Sequence, residues 1–187
     1  MMRYIRILRT RVIVLLVVLL VAGCQSVTSR YPLGPPHIPQ DKEKLEGTWY
    51  VDKDAVLSVK FSNYSVARVA GVEWKNDQFQ MIEMEMIATE KNNQRFLSGR
   101  VRDNGIWENR YFFAKYTFSN QGDLIYWLPN FMMFEAAIKK NQLQGAIEDK
   151  AISITSKPDV LLNFITAPEN TNLFEYNEPK ILRKVGN

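Results

Sequence analysis

The sequence predicts a mainly β fold: a small antiparallel barrel with one C-terminal helix, preceded by a basic and apolar N-terminal segment and a proline-rich stretch. Three observations carry this. Apolar and polar residues alternate strictly from Ala55 to Phe61, the pattern of a half-buried strand. Asp103-Asn104-Gly105 separates two apolar runs, and Asn-Gly is a strong hairpin signal because both residues tolerate positive φ. Only one stretch, following Pro158, places apolar residues clearly at helical spacing.

Arg3, Arg6, Arg9 and Arg11 precede an unbroken apolar run from Val12 to Val21, and Ala22, Gly23 and Cys24 follow. A basic start, a short apolar core and small residues before a cut site describe a secretory signal. The run falls short of the roughly 20 apolar residues that span a bilayer. Val21-Ala22-Gly23-Cys24 resembles a lipobox, the motif of bacterial prolipoproteins. The resemblance implies a signal peptide over residues 1–23 and a palmitate-type acyl anchor on Cys24, with processing just before that residue. Two or more acyl chains hold a protein stably at a membrane, whereas one holds it only marginally. Gln25 and Ser26 follow the cysteine; by resemblance to Gram-negative lipoproteins, the lack of Asp there implies the periplasmic face of the outer membrane.

Loss of the signal changes the charge. Removing the four arginines before Cys24 from the 24 basic residues leaves 20, equal to the 20 acidic ones. A net charge of zero gives no surplus for a phosphate backbone, so no nucleic-acid partner is expected. Cys24 is the sole cysteine, so the exported domain must hold together by its core without a disulfide.

From Cys24 to residue 44 the chain reads as a tether. Pro32, Pro35, Pro36 and Pro39 make up half of the eight prolines, and an extended proline-rich segment of this length reaches up to ~50 Å. The barrel domain is expected over 45–187. After Ala55–Phe61, residues 64–74 and Phe79–Ala88 read as strands. Phe96–Arg102 and Ile106–Phe118 pair about the Asn-Gly turn, and Leu124–Leu128 follows the turn at Ser119-Asn120-Gln121-Gly122. Leu143–Ile147 and Ala151–Thr155 form a further pair. Ser156 is placed to cap the helix, in which Val160, Leu161, Phe164 and Ile165 make an apolar stripe. Lys180–Val185 reads as the last strand.

Leu45-Glu46-Gly47-Thr48-Trp49-Tyr50 opens the domain with a Gly-x-Trp element, in which it resembles the lipocalins and related calycins. That resemblance implies a barrel closed at one end by Gly47 and Trp49, with Arg183 of the last strand packed across the indole. It also accounts for a helix just before the last strand. The Thr-Asp-Tyr element of the middle of that family is absent, and Lys115-Tyr116-Thr117 does not replace it.

Tyr111–Phe118 and Leu124–Leu128 are apolar on both faces, so both faces need cover. The helix at 157–166 is one cover; a partner protein or the membrane surface is another. Trp74, Trp107, Tyr111, Tyr116, Tyr126 and Trp127 concentrate aromatic surface in the strands, as small-molecule pockets do. The pocket candidates are Trp74, Met84, Met86, Trp107, Tyr111, Tyr116 and Trp127. Met81, Met84 and Met86 suit adaptable lining better than soft-metal ligation, because Met81 falls on the opposite strand face. Glu83 and Glu85 share a face but lack a third organising group. The sole histidine, His37, sits among the prolines, so neither a common general base nor a usual zinc site is available. No catalytic residues, metal or cofactor are expected.

The expected function is a non-enzymatic, membrane-anchored binding module for an apolar small molecule or lipid. The alternative is a structural lipoprotein docking an envelope protein through an apolar wall. Cys24→Ser should block lipid labelling and leave unprocessed precursor; equal labelling of wild type and variant in cells fed radiolabelled palmitate contradicts the anchor.

Overall fold

Alternating segments need partners for both their backbone groups and their apolar faces, and in the computed structural model they find them in one continuous sheet. The structure describes residues 25–52, 55–62 and 65–186; the signal segment and Cys24 lie outside the described residues. In chain order the elements are β1 (Ser26–Ser29), α1 (Lys42–Leu45), β2 (Gly47–Asp52), β3 (Ala55–Phe61), β4 (Ala67–Lys75), β5 (Gln78–Lys91), β6 (Gln94–Asp103) and β7 (Ile106–Trp107). They continue with β8 (Tyr111–Phe118), β9 (Leu124–Trp127), α2 (Phe131–Lys139), β10 (Gly145–Glu148), β11 (Ala151–Ile154), α3 (Pro158–Thr166) and β12 (Lys180–Lys184). Among the described residues no helix is long and apolar enough to cross a membrane.

Eight strands close into an antiparallel barrel in the order β8-β9-β12-β2-β3-β4-β5-β6, with β6 returning to β8 through Arg95↔Tyr116 to Gly99↔Phe112. Closure removes the sheet edges that invite aggregation. Tight turns set the register. Asn104 and Gly105, at φ 49° and 80°, make the expected hairpin, and Asn76-Asp77 and Asn92-Asn93 turn two more with positive φ at both residues.

Four expectations change. The tether is not free: β1 pairs parallel with β11 and antiparallel with β8, and Val27 and Leu33 are buried. Beyond β1, the Leu33 N–H donates to Ser98 Oγ at 3.0 Å, which straps the proline-rich segment down the outside of the barrel. Val27 and Leu33, six residues apart, leave no periodicity to read, yet they are buried once a sheet edge is offered. The expected strand Ile106–Phe118 breaks into β7 and β8, because β7 folds back on Arg102 and Asp103 while β8 lies along Arg95–Gly99. An additional helix, α2, is present, with Asn130 Oδ1 accepting from the Met133 N–H at 3.3 Å. Finally, Ser156 does not cap α3. Its buried hydroxyl accepts the Gln144 N–H at 2.7 Å, and α3 starts at Pro158 without a side-chain cap.

Two cores result. One lies inside the barrel around Leu45, Trp49, Val59, Phe61, Val69, Tyr116 and Leu124. The other lies outside it, where Phe96 and Phe113 of the wall meet Phe131 and Phe134 of α2, Leu161 and Ile165 of α3, and Val27, Ile152 and Ile154. The outer face of β8 is therefore covered by α2 and α3 together with the β1-β11-β10 sheet. Phe134 is 0% exposed and meets the Phe113 ring edge-on at 5.7 Å. Phe134→Ala should cost about 3–5 kcal/mol, since a large ring leaves a void its neighbours only partly fill; urea unfolding measures it.

Candidate ligand-binding site

Cross-strand partners share a face, so the register assigns every wall residue to lumen or exterior. The chain Trp49↔Leu57, Val69↔Met84, Met86↔Gly99, Leu97↔Ala114, Tyr116↔Tyr126 and Lys184↔Trp49 runs round the lumen side.

One end of the lumen is plugged. Trp49 is 1% exposed, and its indole N–H donates to the Leu45 carbonyl at 3.0 Å, tying the plug to α1. The cation across it is Lys184, whose ammonium lies 5.4 Å from the ring centre. Arg183, the expected partner, instead pairs with Tyr50 and is exposed, one residue before the lysine that covers the indole. Lys184 Nζ also donates to the Glu43 and Lys44 carbonyls at 3.2 and 3.1 Å. Gly47 takes φ 128°, a conformation that favours glycine, and a Cβ there would sit 2.8 Å from Lys184 Cε and push that side chain aside. Beside this plug the Tyr116 hydroxyl donates to Asp41, with both carboxylate oxygens within 3.1 Å, and Arg95 pairs with the same carboxylate at 3.3 Å. Burial, then the Asp41 charge, push Tyr116 far above the usual tyrosine range.

Away from the plug the lumen is hollow. A cavity of about 200 Å³ is lined by Leu45, Trp49, Leu57, Val69, Met84, Met86, Leu97, Ala114, Tyr126 and Leu182 among others. Leu57, Met84, Met86, Leu97, Tyr126 and Leu182 face inward yet are only half-buried, so the space they surround is reachable from outside. The lining has no charged side chain, and the Tyr126 hydroxyl is its one side-chain oxygen. Burial pushes Tyr126 up to about 12, so the phenol is neutral and its O–H available as a donor near pH 7.

Of the expected pocket residues, Met84 and Met86 line this cavity. Tyr116 faces inward but belongs to the plugged end. Trp74, Trp107, Tyr111 and Trp127 lie on the exterior, because on strands apolar on both sides composition does not say which face turns in. Trp127 meets Tyr176 at a tilt, with ring centres 5.5 Å apart, and Trp74 meets Phe79 edge-on at 4.7 Å on the β4-β5 hairpin. Trp107 carries the guanidinium groups of Arg68, Arg100 and Arg102 at 5.1, 5.4 and 5.5 Å. Glu83 pairs with Arg102, while Glu85 pairs with Arg68 and Arg100. Each carboxylate is thus engaged by arginine on the outer wall, and Arg100 also covers Tyr111 at 5.3 Å. Tyr126 was visible as an aromatic in the sequence. Its inward aim follows only from its pairing with Tyr116 and Lys180.

No family model, no curated protein and no solved structure matches this chain.

The plug generates a paired expectation. Lys184→Ala loses the cation over the indole and two carbonyl contacts and should destabilise by about 1–2 kcal/mol. Arg183→Ala should stay within ~0.5 kcal/mol, as exposed substitutions do. Urea unfolding of both variants checks this, and the reverse order would restore Arg183 to the plug.

Proposed function

We propose that this protein is a lipid-anchored, non-enzymatic binding protein of the cell envelope, moored through Cys24 at the periplasmic face of the outer membrane, whose barrel holds an apolar small molecule or part of a lipid. The observation that carries the reading is the apolar cavity in a barrel otherwise packed at one end. Apolar side chains around a space of about 200 Å³ that is open to water forgo the stabilisation of full burial, about 25 cal/mol per Å², and an apolar occupant recovers it. The volume exceeds the ~150 Å³ of an engineered cavity that takes benzene and is smaller than the roughly 300–1,000 Å³ of drug-sized pockets. It suits a ring or a short stretch of acyl chain, with the remainder of a longer molecule projecting from the mouth.

The anchor and the cavity support each other. Only Gln25 separates Cys24 from β1, and two residues reach about 7 Å. A lipidated Cys24 therefore keeps the barrel against the bilayer, where apolar cargo resides.

A second reading, an interaction protein that docks an envelope partner, is favoured by a different surface from the one expected. The outer wall of β8 is covered, but the β4-β5 hairpin exposes Trp74, Phe79 at 74% and Met81 at 77%.

Native mass spectrometry of the full chain extracted from membranes tests the leading reading. Wild type should retain a small apolar molecule. Ala114→Phe, which projects a ring into the cavity, should lose it while keeping its urea midpoint within the range of a surface variant. A ligand-free wild type would set the binding reading aside in favour of the docking one.

A further inference from the structure

Among the described residues that line the cavity, one polar side-chain group has no protein partner, and it specifies more than an apolar occupant. Backbone groups of the wall are engaged in the strand ladders that close the barrel. The Trp49 indole N–H is satisfied by the Leu45 carbonyl at 3.0 Å. Among the described residues, the Tyr126 hydroxyl has no hydrogen-bond partner, and Tyr126 lines the cavity between Leu124 and Leu128. A donor on an apolar wall is stabilised by an acceptor in whatever fills the space beside it.

The charge of that occupant follows from what the wall lacks. No lining residue is ionised, so a carboxylate, phosphate or ammonium entering the cavity would give up its hydration without a counter-charge. Lys180 is the Cα partner of Tyr126, but its ammonium lies 3.8 Å from the Glu178 carboxylate and is not part of the lining.

Resting on the reading of the barrel as a binding site, we infer that its cargo is an uncharged apolar molecule bearing one carbonyl-type oxygen, a ketone or an ester, positioned to accept the hydrogen bond that Tyr126 donates. The hydrocarbon part lies against Leu57, Val69, Met84, Met86 and Leu97 on the opposite stretch of wall. Tyr126 is a specificity-determining residue: it selects an oxygenated lipid over a plain hydrocarbon, and the uncharged wall selects it over an acid.

The test uses the full chain in lipid nanodiscs, with empty nanodiscs subtracting partition into lipid, and three probes of matched length: methyl octyl ketone, decane and decanoate. The ketone should bind about tenfold tighter than decane, the ratio expected of one net hydrogen bond, and decanoate weakest. In Tyr126→Phe the ketone should fall to the level of decane while decane is unchanged, and the lowered infrared carbonyl stretch of bound ketone should return to its free position. Equal binding of ketone and decane in wild type, or an unchanged ratio in Tyr126→Phe, overturns this inference and leaves an apolar site standing. Tightest binding of decanoate overturns the uncharged class. Failure of all three probes overturns the inference together with the binding function beneath it.

Discussion

Strand β8 has more neighbours than an ordinary barrel strand, and the remaining architecture follows from how it accommodates them. One edge closes the barrel against β6. The other edge is divided: Lys115–Phe118 pair with β9, while Tyr111 and Phe112 pair with β1. Because two strands share one edge, the sheet must split there, and the branch leads away through β1 to β11 and β10. The wedge opened by the split is filled by α2 and α3. Phe113 points into that wedge while Phe112 and Ala114 point into the lumen, so one short strand supplies both cores.

The lumen is graded along its axis for a related reason. At the plugged end, Trp49, Phe61 and Tyr116 fill the cross-section; Asp41 accepts from the Tyr116 hydroxyl and pairs with Arg95, the Leu45 carbonyl accepts from the Trp49 indole N–H, and Lys184 lies over the indole face. Further along, Gly99 and Ala114 contribute little volume, and the flexible side chains of Met84 and Met86 do not close the gap. Small and adaptable residues opposite rigid ones leave space, which methionine is suited to shape around different occupants.

Much of the fold was legible in the residue order because strand alternation and turn chemistry are local. Ala55–Phe61, the Asn104-Gly105 hairpin and the late helix all fall where their patterns place them. The barrel and its late helix agree with the expected fold class, and Trp49 lies buried inside the barrel with its indole N–H bound to the Leu45 carbonyl. What could not be read depends on partners distant in sequence. β1 has too few apolar residues to announce itself and exists because β11 offers an edge. In α2, exposed Met132 and Met133 beside buried Phe131 and Phe134 blur the helical stripe. The exchange of Arg183 for Lys184 is a register question that two adjacent basic residues cannot decide. The outward turn of Trp107 and Tyr111 is of the same kind, since a face is defined only after the barrel has closed.

The position of β1 has a mechanical consequence. Under the proposed anchor, any pull on the lipid is transmitted along the axis of β1, which is registered at four positions with β11 and at two with β8. A load parallel to the strands stretches those bonds in concert instead of peeling them one at a time. The same strand waits for a partner that lies 124 residues further along the chain. Under the proposed anchor, that connection is therefore complete only once β11 is in place.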